Sequence, residues 1–141
     1  MRVLSVDYGE SRTGIAVSDE SASLVGEAWI IREKNQAAVA KTVSEEASTR
    51  SVQTIVVGFP KNMNGTIGPQ ALKSEQLADH LRSICDAEVV LWDERMTTVS
   101  ANRILANAGR YGKKRAKTVD AVAASLILES YLSYRKSSTA L

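Results

Sequence analysis

The sequence is poor in soft ligands and nucleophiles: its 141 residues include one cysteine, Cys85, and one histidine, His80. A lone cysteine excludes an internal disulfide framework and a cysteine zinc site, so a reducing cytoplasm is the expected compartment. Cys85 reads as core filler. His80 falls in the middle of a helical pattern with no partner close in sequence, which leaves histidine or cysteine nucleophilic catalysis without its residues. Long apolar runs are also missing. None approaches the roughly 18 residues of a membrane span, and the opening MRVLSVDYG meets an aspartate too early for a signal peptide. The expectation is a protein that works away from the membrane, with the whole sequence as its mature form. Only two prolines occur, Pro60 and Pro69, both in one irregular stretch.

The residues that are present describe a globular chain, 44% hydrophobic and 24% charged. That balance is far from a disordered composition, and the length suits one domain over 1–141, with disorder expected only in the tail after about residue 135. The net charge of +2 conceals an uneven distribution. Residues 1–50 carry six basic and eight acidic residues, whereas residues 110–141 carry seven and two. This asymmetry points to a polyanionic partner. It is concentrated in GRYGKKRAK, residues 109–117, where Lys113, Lys114 and Arg115 are consecutive; on charge alone a solvated loop accounts for it equally well.

Hydrophobic period gives the order of elements. Arg2–Asp7 and Gly14–Ser18 read as a hairpin around a turn in which Gly9 and Gly14 permit positive φ and close backbone approach. A third strand is expected at Gly26–Arg32 and a helix at Gln36–Thr49. Thr54–Val57 is a short strand that runs into the irregular loop GFPKNMNGTIGP. A helix over Gln70–Ile84 follows, with Leu77, Leu81 and Ile84 as its buried stripe. Glu88–Trp92 is the next strand, and helices are expected over Thr98–Asn107 and from about Thr118, the latter turning Val119, Val122, Leu126 and Ile127 inward. Strands first and then alternating helix and strand predict an α/β fold, one mixed five-stranded sheet with helices on both faces.

Three acids stand out. Asp7 ends the first strand, Glu94 follows an apolar strand in Trp92-Asp93-Glu94-Arg95, and Asp120 lies in the first turn of the last helix. Singly they read as a turn aspartate, a surface ion pair and a helix-end carboxylate. With the first and fourth strands side by side, the strand ends share one edge of the sheet, and the last helix can bring Asp120 to it. Carboxylates so gathered resist ionisation unless a cation lies among them, and oxygen ligands suit Mg²⁺ or Mn²⁺. Two such ions about 3.5–4 Å apart can activate water and stabilise the departing oxygen in phosphodiester cleavage. Asp93 and Glu94, being adjacent, point to opposite faces of a regular strand; Glu94 is assigned to the site and Asp93 to hydrogen bonding.

Four ordered motifs then make the sequence specific. Asp7-Tyr8-Gly9 with Arg12 and Gly14, Gly58-Phe59-Pro60 with Asn62-Met63-Asn64-Gly65, Asp93-Glu94-Arg95-Met96-Thr97-Thr98, and Lys117 with Asp120-Ala121 together resemble the YqgF family over essentially the full chain. Met96 stands where that family often has leucine, a volume-conserving exchange. The resemblance implies a ribonuclease H-like fold and a metal-dependent endonuclease of the bacterial cytoplasm, related to Holliday junction resolvases and assigned to maturation of the 5′ end of 16S ribosomal RNA. It assigns Asp7 as the first-strand acid, Glu94 as the acid after the fourth strand and Asp120 as the last-helix acid, around one or two Mg²⁺ or Mn²⁺ ions. Gly9, Arg12, Lys61, Asn64 and Arg95, with Lys113, Lys114 and Arg115, are the expected nucleic-acid contacts. The partner is precursor or structured RNA, or branched DNA, met by a monomer or weak homodimer. A non-cleaving assembly factor and an actin-like phosphotransferase are the competing readings. The acids argue against the first, and the shortness of the chain against the second.

Overall fold

The computed structural model describes residues 1–97 and 119–139, by backbone alone at 96, 97, 119, 120, 138 and 139. In chain order these form β1 (Arg2–Asp7), β2 (Arg12–Ser18), β3 (Val25–Arg32), α1 (Gln36–Thr49), β4 (Val52–Phe59), α2 (Pro69–Ile84), β5 (Glu88–Asp93), a short 3-10 helix (Glu94–Thr97) and α3 (Val119–Thr139). The helix expected over 98–107 and the basic segment 109–117 lie outside the described residues.

Strand order is β3-β2-β1-β4-β5. The first three strands form an antiparallel meander, while β4 and β5 run parallel to β1. Parallel strands need cover on both faces, which explains why β4 is buried almost throughout. Alternation divides the apolar residues into two cores. Leu4, Val6, Ile15, Val17, Ile55 and Val57 pack beneath α1 and α2, which contribute Val39, Val43, Leu77 and Leu81. Val3, Ala16, Val56 and Trp92 pack beneath α3, which contributes Ala124, Ile127, Leu128, Tyr131 and Leu132. The mixed five-stranded sheet with helices on both faces is therefore as expected.

Helix ends follow local chemistry. Asn35 caps α1 by accepting from the Ala38 amide at 3.0 Å, and Pro69 opens α2 where no intrahelical amide is needed.

Several boundaries differ from the sequence reading, each through long-range pairing. β2 begins at Arg12 because Arg12 and Thr13 pair with Arg32 and Ile31 of β3, beyond the last β1 partner. Gly14 is thus a strand residue opposite Asp7, with no positive φ. β4 extends to Val52 and Phe59 because β1 and β5 flank it. Ile84 is 44% exposed at the end of α2 rather than part of its stripe. On α3 the buried line is Ala121, Ala124, Ile127 and Leu128, while Val122 and Leu126 are half-buried. Small alanines let the helix settle closely on the sheet, a tertiary demand that a count of large apolar residues misses. The tail expected to be disordered after 135 continues as helix to Thr139, and Arg135 donates to the Met1 sulfur at 3.1 Å.

Leu128 is fully buried between α3 and the sheet. Leu128→Ala is expected to destabilise the protein by about 2–5 kcal/mol in urea unfolding. A loss below about 1 kcal/mol would mean that α3 does not close this core.

Candidate active site

Three strands reach the same end of the face beneath α3. On β1 the residues facing α3 are Val3 and Ser5, and the Ser5 hydroxyl donates to the Ala124 carbonyl at 2.7 Å. Two residues on, the same face carries Asp7. On β4 the sequence on this face is Val56 and then Gly58; on β5 it is Trp92, followed by Glu94 just past the end of the strand. A Cβ built on Gly58 would lie 2.7 Å from Ile127 Cδ1 and 3.1 Å from Glu94 Oε1. The Glu94 side chain therefore leans back over the bare end of β4, toward Asp7.

The course of α3 carries the third acid's backbone toward the same end of the sheet. Ala124 stands over Ser5, and α3 runs opposite to β1, since Arg135 reaches Met1. One helical turn back from Ala124 is about 6 Å, and the step from Ser5 to Asp7 is about 6.6 Å. Asp120 thus lies on the Asp7 side of Ser5; its side chain lies outside the described residues.

Electrostatics separates the adjacent acids. Burial, then the charges of Asp7 and Asp93, push the Glu94 carboxyl up from 4.5 to about 7. Hydrogen bonding from Arg95 holds Asp93 below the usual carboxylate range. The turn after β5 curls Arg95 back so that its amide donates to Asp93 Oδ1 at 3.0 Å. Its guanidinium meets both oxygens, with Nε 3.0 Å and Nη2 2.7 Å from Oδ2. Asp93 is thereby committed to Arg95, and Glu94 is the acid turned toward Asp7. Among the described residues no group of three histidine, cysteine, aspartate or glutamate side chains assembles; the described part of the cluster is the pair. Hard oxygen donors whose joint ionisation is opposed suit a hard divalent cation.

One assignment needs correction. Glu94 follows the fifth strand, not the fourth; β4 lies between the two acids and ends in Gly58-Phe59. Gly58 was thus given no role in the sequence reading. A glycine on the face of an otherwise strand-forming run was the available signal.

The other expected contacts are spread around this edge. Gly9 sits in the β1–β2 turn, where a Cβ would collide with the Arg12 carbonyl at 2.1 Å. Gln70 fastens that turn from α2 by donating to the Tyr8 carbonyl at 2.7 Å, a link with no local sequence signature. Arg12 is exposed. In the loop after β4, Lys61 lies over the Phe59 ring, and Asn64 Oδ1 accepts from the Thr66 hydroxyl at 2.7 Å and amide at 3.1 Å. The guanidinium of Arg95 borders this loop, 3.7 Å from a Cβ built on Gly65. Lys113, Lys114 and Arg115 lie outside the described residues. An open groove of about 530 Å³ is lined by Tyr8, Gly9, Lys34 and Lys73 among others and includes neither Asp7 nor Glu94. The carboxylate pair, not the groove, has the chemistry of a reaction centre.

Residues 1–134 match the family described as RuvX: Holliday junction resolvase. A relative from Caldanaerobacter subterraneus subsp. tengcongensis, provisionally named a pre-16S rRNA nuclease, is 42% identical over 139 residues, covering 98% of this chain and 100% of its own. A relative from Geobacillus sp. strain WCH70 with the same provisional name is 44% identical over 135 residues, covering 94% of this chain and 97% of its own. Among solved structures, Thermus thermophilus RuvC in complex with a Holliday junction substrate aligns with a TM-score of 0.73. That match covers 99% of this chain and 97% of RuvC at 11% identity, a likeness of fold. The chain belongs to the RuvX family, also called YqgF, a family of nucleases and so of hydrolases acting on phosphodiester bonds.

Proposed function

We propose that this protein is a divalent-metal-dependent endonuclease of the cytoplasm that matures the 5′ end of the 16S ribosomal RNA precursor. Asp7, Glu94 and Asp120 hold the ion or ions. The observation that carries this reading is the convergence of Asp7 and Glu94 on one sheet face, with the Glu94 carboxyl pushed up to about 7 beside Asp7. The names of the full-length relatives supply the substrate. When bound, Mg²⁺ or Mn²⁺ supplies an activated water and stabilises the departing oxygen.

The protein's own groups do the rest. Deprotonated Glu94 and Asp7 fix the position of the cation, and α3 excludes water from the face behind them. Arg95, held by Asp93, is a phosphate contact together with Lys61 and Asn64. Lys113, Lys114 and Arg115 extend the phosphate contacts, and Arg12 and Gly9 border the strand's path on the other side of Asp7. One active site suffices for one RNA strand, so a monomer fits this role. The second reading, resolution of branched DNA, is favoured by the family description and by the RuvC likeness of fold. It requires two active sites in a dimer.

Asp7→Asn and Glu94→Gln are each expected to lower cleavage of a precursor 16S 5′ fragment in Mg²⁺ or Mn²⁺ by more than about 100-fold, above the range for losing an outer partner of a metal ligand. Binding of the RNA should persist. A four-way DNA junction assayed in parallel separates the two substrates, and binding without cleavage of either by wild type would sink the nuclease reading. The raised Glu94 carboxyl also sets a pH dependence. The folded state holds this proton more tightly than the unfolded chain, so the contribution to metal-free stability is full below about pH 4.5 and disappears as pH rises to about 7. The stability difference between wild type and Glu94→Gln should fall across that window, and a flat difference in urea titrations would contradict the burial of Glu94. Changing Lys113, Lys114 and Arg115 together to alanine should weaken RNA binding and reduce its salt slope by up to about 2. An unchanged slope returns that segment to a solvated loop.

A further inference from the structure

We propose that Gly58 is a positioning residue of the active site: the missing side chain at the end of β4 is what lets the Glu94 carboxylate lie across the sheet toward Asp7. The cation readout rests on the metal-dependent reading above; the placement of Glu94 does not.

Glycine is a costly choice inside a strand, because it forfeits packing and loses more backbone freedom on folding than any other residue. The rest of β4, Val52-Gln53-Thr54-Ile55-Val56-Val57 and Phe59, is otherwise mostly strand-forming. Backbone conformation does not demand the glycine, since Gly65 is the glycine with positive φ among the described residues. Space does. A Cβ at Gly58 would stand 2.7 Å from Ile127 Cδ1, 3.1 Å from Glu94 Oε1 and 3.2 Å from Glu94 Cδ. Register adds the reason for the lean. Gly58 pairs with Trp92, so Glu94 starts one pleat beyond the level of Gly58 and its carboxylate returns over β4 to approach Asp7. The bare end of β4 leaves the slot in which it lies. Even a methyl group at 58 presses on the carboxylate, which has to give way by a few tenths of an ångström.

Two neighbours meet that methyl, so the test separates them. Gly58→Ala is compared with Gly58→Ala/Ile127→Val, in which the deleted Cδ1 relieves the packing clash and leaves the contact with Glu94. Ile127→Val alone is the control. Mn²⁺ affinity is measured by titration calorimetry, thermal stability in the metal-free state, and the position of Glu94 in metal-free crystal structures. The expected result is that both Gly58→Ala proteins bind Mn²⁺ about 10–100-fold more weakly than wild type, the range for disturbing the support of a metal ligand, while Ile127→Val binds as wild type. The double variant should recover thermal stability without recovering affinity, and its Glu94 carboxylate should be displaced. Wild-type affinity in the double variant, or a Glu94 carboxylate unmoved in its crystal structure, would overturn the proposal and leave Gly58 as a packing residue for Ile127. If wild type binds no Mn²⁺, the metal-dependent reading fails, and the metal-free structures still decide the role of Gly58.

Discussion

Two carboxylates that repel each other, Asp7 and Glu94, are held at one end of one sheet face, where burial makes their joint ionisation still harder. The surrounding structure is arranged around that strain. Parallel β1, β4 and β5 bring the two acids to the same edge, with the middle strand contributing no side chain between them. α3 closes over the face and is tied to β1 by the bond from Ser5 to the Ala124 carbonyl. A polar donor buried there fixes the sliding position of the helix, and with it the level at which Asp120 enters. The adjacent acid Asp93 is paired with Arg95, and its charge adds to that of Asp7 in opposing ionisation of Glu94.

The same strain gives the site its chemistry. A carboxyl that ionises near neutrality is a poor permanent anion but a good ligand, because a divalent cation replaces the proton and relieves the repulsion together. In the proposed cation site, fold stability and metal binding are coupled through this one group. The likeness of fold to RuvC and the relatives' provisional name lead toward different nucleic acids, and the distinction lies outside this pair of acids: in the number of active sites per assembly and in the surfaces that grip the strand.

Much of the fold was legible in the sequence because its signals are local. Period-2 and period-3.6 patterns and the glycine- and proline-rich loop after β4 located seven of the strands and helices described. An eighth, α3, was located at its start but not at its end. What local pattern misses is pairing and close packing. The extra residues of β2 and β4 exist only because β3, β1 and β5 lie beside them. The buried line of α3 runs through Ala121 and Ala124 because the sheet is near, whereas the sequence favours the larger Val122 and Leu126. The site was legible as three acids and a motif order. Its geometry was not: the resemblance placed Glu94 after the fourth strand, and only the sheet order reveals that β4 passes between the acids. The hold of Gln70 on the β1–β2 turn links residues 62 apart and leaves no trace in either motif.

The central claim is that the Asp7 and Glu94 carboxylates form one cation site. Its most direct test is a crystal soaked in Mn²⁺ and measured at the manganese absorption edge. The account predicts an anomalous peak bounded by oxygens of both Asp7 and Glu94, over the bare end of β4. A fully occupied peak elsewhere, with these two carboxylates unliganded, would contradict it.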